Sequence, residues 1–217
     1  MKRLEIELYW SFRSPYCYLA MDRLFELPKR MNVAIQLRHV WPGAMRQAGY
    51  FKTLHPNYPG YHALDSLRTA EFHGISYARP VPDPLVFDQQ TYEPIAEQPY
   101  IRRLTRLALA AREMGNEHVY LCSLMRLLWN GDVKGWDQGD HLEQVATAAG
   151  LDFDELSRIA QDKAEILDQE VSDNGIRLER VGHWGVPCAV LDGEPFFGQD
   201  RIDMLIWRLG QRGAIET

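Results

Sequence analysis

The chain has 217 residues, 46% of them hydrophobic, with a formal net charge of −6 and an isoelectric point near 5.6. That size and apolar content suffice for a sizeable core, built as one large domain or as a core domain with an insertion. The acidic balance argues against nucleic acid or an anionic membrane as the main partner, and the apolar runs are too short to span a bilayer.

Leu4, Ile6, Leu8 and Trp10 alternate with Glu5, Glu7 and Tyr9, a period that predicts a strand. Met1 leads almost directly into it without a basic and then apolar leader, so a cytoplasmic protein is expected. Leu19, Ala20, Leu24 and Leu27 then recur at helical spacing, to an end near Pro28. Between strand and helix stands Ser14-Pro15-Tyr16-Cys17. Ser14 is a candidate N-cap and Pro15 a candidate first helical residue, which places Cys17 at the third helical position. The free N–H groups and the dipole there favour a thiolate, whether of the protein or of a bound ligand. The spacing is that of a Cys-x-x-Cys redox motif with serine in the first place. Ser-Pro before an apolar run also opens helices that carry no chemistry, so the motif alone leaves both readings open.

Val33, Ile35, Leu37 and His39 mark a second strand, which stops at Trp41-Pro42-Gly43. Strand, helix and strand of these lengths predict a parallel βαβ unit. Residues 42–100 turn irregular, with one helical stretch over 62–72 and a long exposed loop punctuated by Pro80, Pro82 and Pro84. From 98 to 181 the pattern is almost entirely helical: one helix with Ile101, Leu104, Leu107 and Ala108 on its buried side, then 117–129, 137–149 and 152–181, with Gly150 and Gly175 as breaks or caps. Arg102, Arg103 and Arg106 suit either an acidic substrate or a solvated face paired with neighbours such as Glu113. A strand over 186–191, Asp192-Gly193 and a strand over 194–197 predict a hairpin. Gly198-Gln199-Asp200 then opens a closing helix, with Asp200 a plausible N-cap and Ile202, Leu205, Ile206 and Leu209 buried. The order predicts an α/β thioredoxin-like fold with an inserted all-helical domain. Residues 1–42 and 182–217 form the discontinuous thioredoxin-like part, and 43–181 the insertion, loop-rich and then helical.

Cys17, Cys122 and Cys188 are too few and too widely spaced for a disulfide framework or a zinc pattern, and the seven histidines lack paired helical spacing. No metal is expected.

Ser11-Phe12-Arg13-Ser14-Pro15-Tyr16-Cys17-Tyr18-Leu19-Ala20, Gly185-Val186-Pro187 and Phe196-Phe197-Gly198-Gln199-Asp200-Arg201 together resemble the DsbA-like superfamily, within it the 2-hydroxychromene-2-carboxylate isomerase and kappa-class glutathione transferase branch. The resemblance is sharp over residues 4–40 and 182–209 and looser between them. It implies a cis Pro187, with the Val186 backbone offered to a peptide-like ligand, glutathione. It further implies that Ser14 hydrogen-bonds the glutathione sulfur and favours its thiolate, and that Gln199 and Asp200 hold the γ-glutamyl end. A homodimer is also implied. The branch usually carries an Asn and a Lys in the loop after the second strand, and here neither falls cleanly at its place, Lys52 and Asn57 being the nearby substitutes. Cys17 is either an inert thiol near the core or a resolving thiol for the substrate's sulfur.

The implied activity is a glutathione-dependent isomerase or transferase acting on an aromatic, carboxylate-bearing small molecule. Tyr16, Trp41, Tyr50, Phe51 and Trp184 are available to line a substrate cavity, and Arg13 to meet a substrate carboxylate. The alternatives are a thiol–disulfide oxidoreductase, which the serine at position 14 disfavours, and a glutathione-binding module without chemistry.

Overall fold

The computed structural model describes residues 3–215. In chain order the elements are β1 (Leu4–Trp10), α1 (Pro15–Arg30), β2 (Val33–His39), a short α2 (Gly43–Arg46), α3 (Tyr58–His73), α4 (Pro99–Glu113), α5 (Glu117–Trp129), α6 (His141–Ala148), α7 (Phe153–Asp162), α8 (Ala164–Arg180), β3 (Cys188–Leu191), β4 (Glu194–Phe197) and α9 (Ile202–Gln211). Two compact units result: residues 1–43 with 171–217, and residues 44–170. Among the described residues no helix is long and apolar enough to cross a membrane.

The first unit carries one four-stranded sheet in the order β2-β1-β3-β4. β1 and β2 run parallel, Leu4 opposite Val33 through to Trp10 opposite His39. β3 is antiparallel to both β1 and β4. The hairpin turns on Asp192 (φ 50°) and Gly193 (φ 82°), the two consecutive positive φ values that a tight two-residue turn requires. Tyr9, Val40, Leu178, Cys188 and Val190 close one side of the core, with Val181 and Val186 packed against it. Trp10 meets Phe25 at 5.7 Å between ring centroids, and Phe12 stacks on His39 at 5.4 Å. The buried Asn174 side chain donates to the His39 carbonyl (3.1 Å), which ties the last turns of α8 to the end of β2.

Several details depart from the sequence patterning: Pro80 and Pro84 of the expected exposed loop are buried, and the helix expected from 137 begins at His141. Gly175 is no break: α8 runs through it, and the interruption falls at Lys163, which caps α7. Asp200 is no N-cap: residues 199–201 form a 3-10 turn, Arg201 takes the cap position of α9, and no side chain caps it. Ile206 is half-buried, leaving Ile202, Leu205 and Leu209 as the buried face of α9.

The second unit is helical, and α4 packs one face inward: Ile101, Leu104, Leu107, Ala108 and Ala111 are all buried. Three of the α4 arginines make structural pairs, whereas Arg103 is exposed. Arg106 clamps Asp168 with two parallel bonds (2.7 and 2.6 Å), Arg102 reaches the same carboxylate, and Arg112 pairs with Glu170 (2.5 Å). Replacing Asp168 by alanine takes the shared carboxylate away from two half-buried guanidinium groups and should cost about 2 kcal/mol. Denaturant unfolding of D168A measures it, and a loss under about 0.5 kcal/mol would show the cluster to be a solvated ornament.

Candidate active site

The first unit brings Ser14 and Val186 together across 172 residues of chain. Ser14 sits in extended conformation (φ −91°, ψ 116°) as N-cap of α1, its Oγ accepting from the Cys17 N–H at 3.2 Å. Pro15 follows in the position where a missing N–H costs nothing. The hydroxyl proton of Ser14 points to the Val186 carbonyl at 3.4 Å, long for an O–H···O bond. One acceptor lone pair is therefore committed to the helix, and the single donor is held loosely.

The Val186–Pro187 peptide bond is cis. Pro187 is buried, and its carbonyl accepts from the Gly198 N–H (2.9 Å). Val186 lies just before β3, and its N–H meets no acceptor among the described residues. Such an unpaired N–H, just beyond the end of the β3 ladder, is what an extended peptide ligand can pair with.

Gly198 (φ 103°) turns β4 into the 199–201 segment, and the Asp200 Oδ1 fills the space a Cβ there would occupy. Asp200 is exposed and pairs with Arg201 at 2.8 Å. Gln199 is half-buried and accepts through Oε1 from Arg23 at 2.6 Å. Arg23, on α1, carries no local sequence signal of this role, because its partner lies 176 positions away. Burial pushes its pKa below the ordinary value, with Asp203 and Asp200 opposing, and its Nε has no partner among the described residues.

Cys17 is fully buried, and burial pushes its thiol up to about 12 against the pull of bonds from Ser11 and Ser14. A thiol so placed stays protonated at neutral pH, which fits the inert reading of the two considered. Arg13 is half-buried on the turn before α1. Lys52 and Asn57 lie in the second unit: Lys52 pairs with Glu93 at 2.6 Å, and Asn57 precedes α3 without a side-chain cap bond. Of the aromatic candidates, Tyr16, Trp41 and Trp184 belong to the first unit, and Tyr50 and Phe51 to the second. Among the described residues no group of three His, Cys, Asp or Glu side chains is placed to hold a metal ion.

A model of the DsbA-like thioredoxin domain matches residues 5–210. The chain belongs to the DsbA-like thioredoxin family. A 2-hydroxychromene-2-carboxylate isomerase from Sphingobium xenophagum is 25% identical over 202 residues, 92% of this chain and 95% of that one. A solved 2-hydroxychromene-2-carboxylate isomerase superposes with a TM-score of 0.70 at 21% identity, covering 96% of both chains. A cytosolic disulfide reductase from Pseudomonas aeruginosa, solved with GSH, gives 0.59 at 16% identity over 95% of this chain and all of that one. In this DsbA-like chain the residue that heads the first helix is a hydroxyl, and the thiol three positions on is sealed in the core.

Proposed function

We propose that the protein is a glutathione-dependent isomerase of an aromatic, carboxylate-bearing small molecule, of the 2-hydroxychromene-2-carboxylate isomerase kind. The observation that carries this reading is the Ser14–Val186 juxtaposition: a loosely held hydroxyl at a helix N-terminus beside an unpaired backbone N–H. The kinship with an isomerase over nearly the whole chain supports the reaction class. When bound, glutathione supplies a thiolate that adds to a conjugated double bond, lets the resulting single bond rotate, and leaves.

The chain's own residues have modest tasks. Val186 pairs with the cysteinyl backbone of the ligand and fixes where its sulfur lies. Ser14 turns its O–H from the Val186 carbonyl to that sulfur, and the α1 N-terminus adds the positive end of its dipole, so the anionic form is favoured over the thiol. Asp200 accepts from the γ-glutamyl ammonium, and the carbonyl-engaged Gln199 has its amide N–H groups left to donate to the neighbouring carboxylate. Thiol–disulfide exchange is disfavoured, because a hydroxyl cannot form the mixed disulfide and Cys17 is buried and protonated.

The test is spectrophotometric: 2-hydroxychromene-2-carboxylate with enzyme should isomerise only when reduced glutathione is present. Equal rates with and without glutathione, or none with either, would contradict the reading. Asp200 is exposed and already paired with Arg201, so its contact with the ligand is screened. Asp200→Ala should therefore weaken glutathione binding by only about 1 kcal/mol, roughly fivefold, leaving turnover at saturation unchanged. Calorimetric titration of the variant checks this, and an unchanged affinity removes Asp200 from the site.

A further inference from the structure

Three consecutive loop residues ahead of β3 are each anchored by one hydrogen bond to a different group. The Gly185 N–H donates to His183 Nδ1 (2.9 Å), the Val186 carbonyl accepts from Ser14 (3.4 Å), and the Pro187 carbonyl accepts from Gly198 (2.9 Å). His183 is itself held by aromatic packing. Its ring lies parallel to Trp184 (4.7 Å between centroids, 5° between planes) and stacks on Phe197 (4.1 Å, 25°). Two such contacts fix the plane of the imidazole and hence the direction of its Nδ1 lone pair. Gly185 belongs to the same assembly: a Cβ added there would run into the Phe197 ring and stand 3.2 Å from His183 Cε1. For Nδ1 to accept, the ring must be neutral with its proton on Nε2, and burial, which lowers its pKa, favours that form.

We propose that His183 is the positioning residue of the ligand-accepting segment ahead of β3: through the Gly185 N–H it holds Val186 in the orientation that pairs with the thiol peptide. The proposal rests on the glutathione reading above. His183 acts through Gly185 and Val186 rather than on the ligand, and no sulfur or substrate atom need touch it.

Two variants separate its two contacts. His183→Phe keeps a ring for the stack and removes the acceptor; His183→Asn removes the ring and keeps an acceptor able to reach the amide two residues on. Each is titrated with reduced glutathione by calorimetry, and Gly185 amide hydrogen exchange is followed in parallel. In His183→Phe the Gly185 amide should exchange at least about tenfold faster and the Kd rise about tenfold, while kcat at saturating glutathione changes less than about threefold. His183→Asn should bring the Kd back to within about threefold of wild type. A wild-type Kd in His183→Phe, or an Asn variant as weak as the Phe one, overturns the proposal and leaves the glutathione reading standing. Absence of glutathione binding by the wild type overturns both. Should His183→Phe fail to fold, 15N NMR of the wild-type imidazole decides: an unprotonated Nδ1 at neutral pH supports the proposal, and a protonated one overturns it.

Discussion

Ser14→Ala is expected to lower glutathione-dependent turnover about a hundredfold while changing glutathione affinity by less than about threefold. The asymmetry follows from what the hydroxyl does. Its hydrogen bond to a neutral thiol is weak, whereas the bond to a thiolate is charge-assisted. Removing it therefore raises the free energy of the reactive form much more than that of the bound ligand. Ser14 also caps α1, so the alanine variant loses about 1 kcal/mol of stability for a reason unrelated to chemistry. Ser14→Asn separates the two effects: asparagine caps well but cannot replace the hydroxyl donor in place. Steady-state kinetics with a thermal melt on each variant gives the answer. If S14A turns over at the wild-type rate, or if both variants lose affinity and turnover equally, Ser14 is not the thiol activator.

Alkaline pH should destabilise the protein steeply, because two thiols are buried in the first unit. Cys17 and Cys188 are both fully shielded, and burial pushes each up to about 12. In the unfolded chain a thiol ionises near about 8.5. Above that pH the unfolded state binds fewer protons than the native state, so the free energy of unfolding falls as pH rises. The stability these thiols contribute is fully present below about 8.5 and is lost progressively as pH climbs toward 12. Each contributes a slope that rises toward about 1.4 kcal/mol per pH unit, or about 3 kcal/mol for the pair between roughly pH 8.5 and 10. Urea unfolding at several pH values measures the slope, and Cys17→Ala and Cys188→Ala should each remove about half of it whatever they cost in absolute stability. A flat profile to pH 10 would mean that these thiols are reached by solvent. That result would reopen a thiol reaction through Cys17.

Local patterns carried much of the fold. Alternation along residues 4–10 and 33–39 marks β1 and β2 because the two faces of each strand have different surroundings, and Asp192-Gly193 marks the hairpin because few residues accept two positive φ values in succession. Gly175 misled because an isolated glycine costs a helix only about 1 kcal/mol, and the buried Val171 and Leu178 on either side of it hold α8 to the core. The true interruption at Lys163 has no glycine or proline to announce it. At the site, Ser14 was legible through helix-capping chemistry and Val186-Pro187 through the resemblance. The Arg23–Gln199 bond and the His183–Phe197 stack were not, since each joins side chains whose pairing exists only once the sheet has formed. His183 left only a faint trace, a histidine two residues before a glycine that cannot carry a side chain.

Calorimetric titration with reduced glutathione near neutral pH decides whether the first unit binds glutathione beside Ser14 and Val186. A saturable, one-site isotherm with a Kd of millimolar or tighter, about −4 kcal/mol or better, is expected. No heat, together with no competition against any thiol peptide, would contradict it.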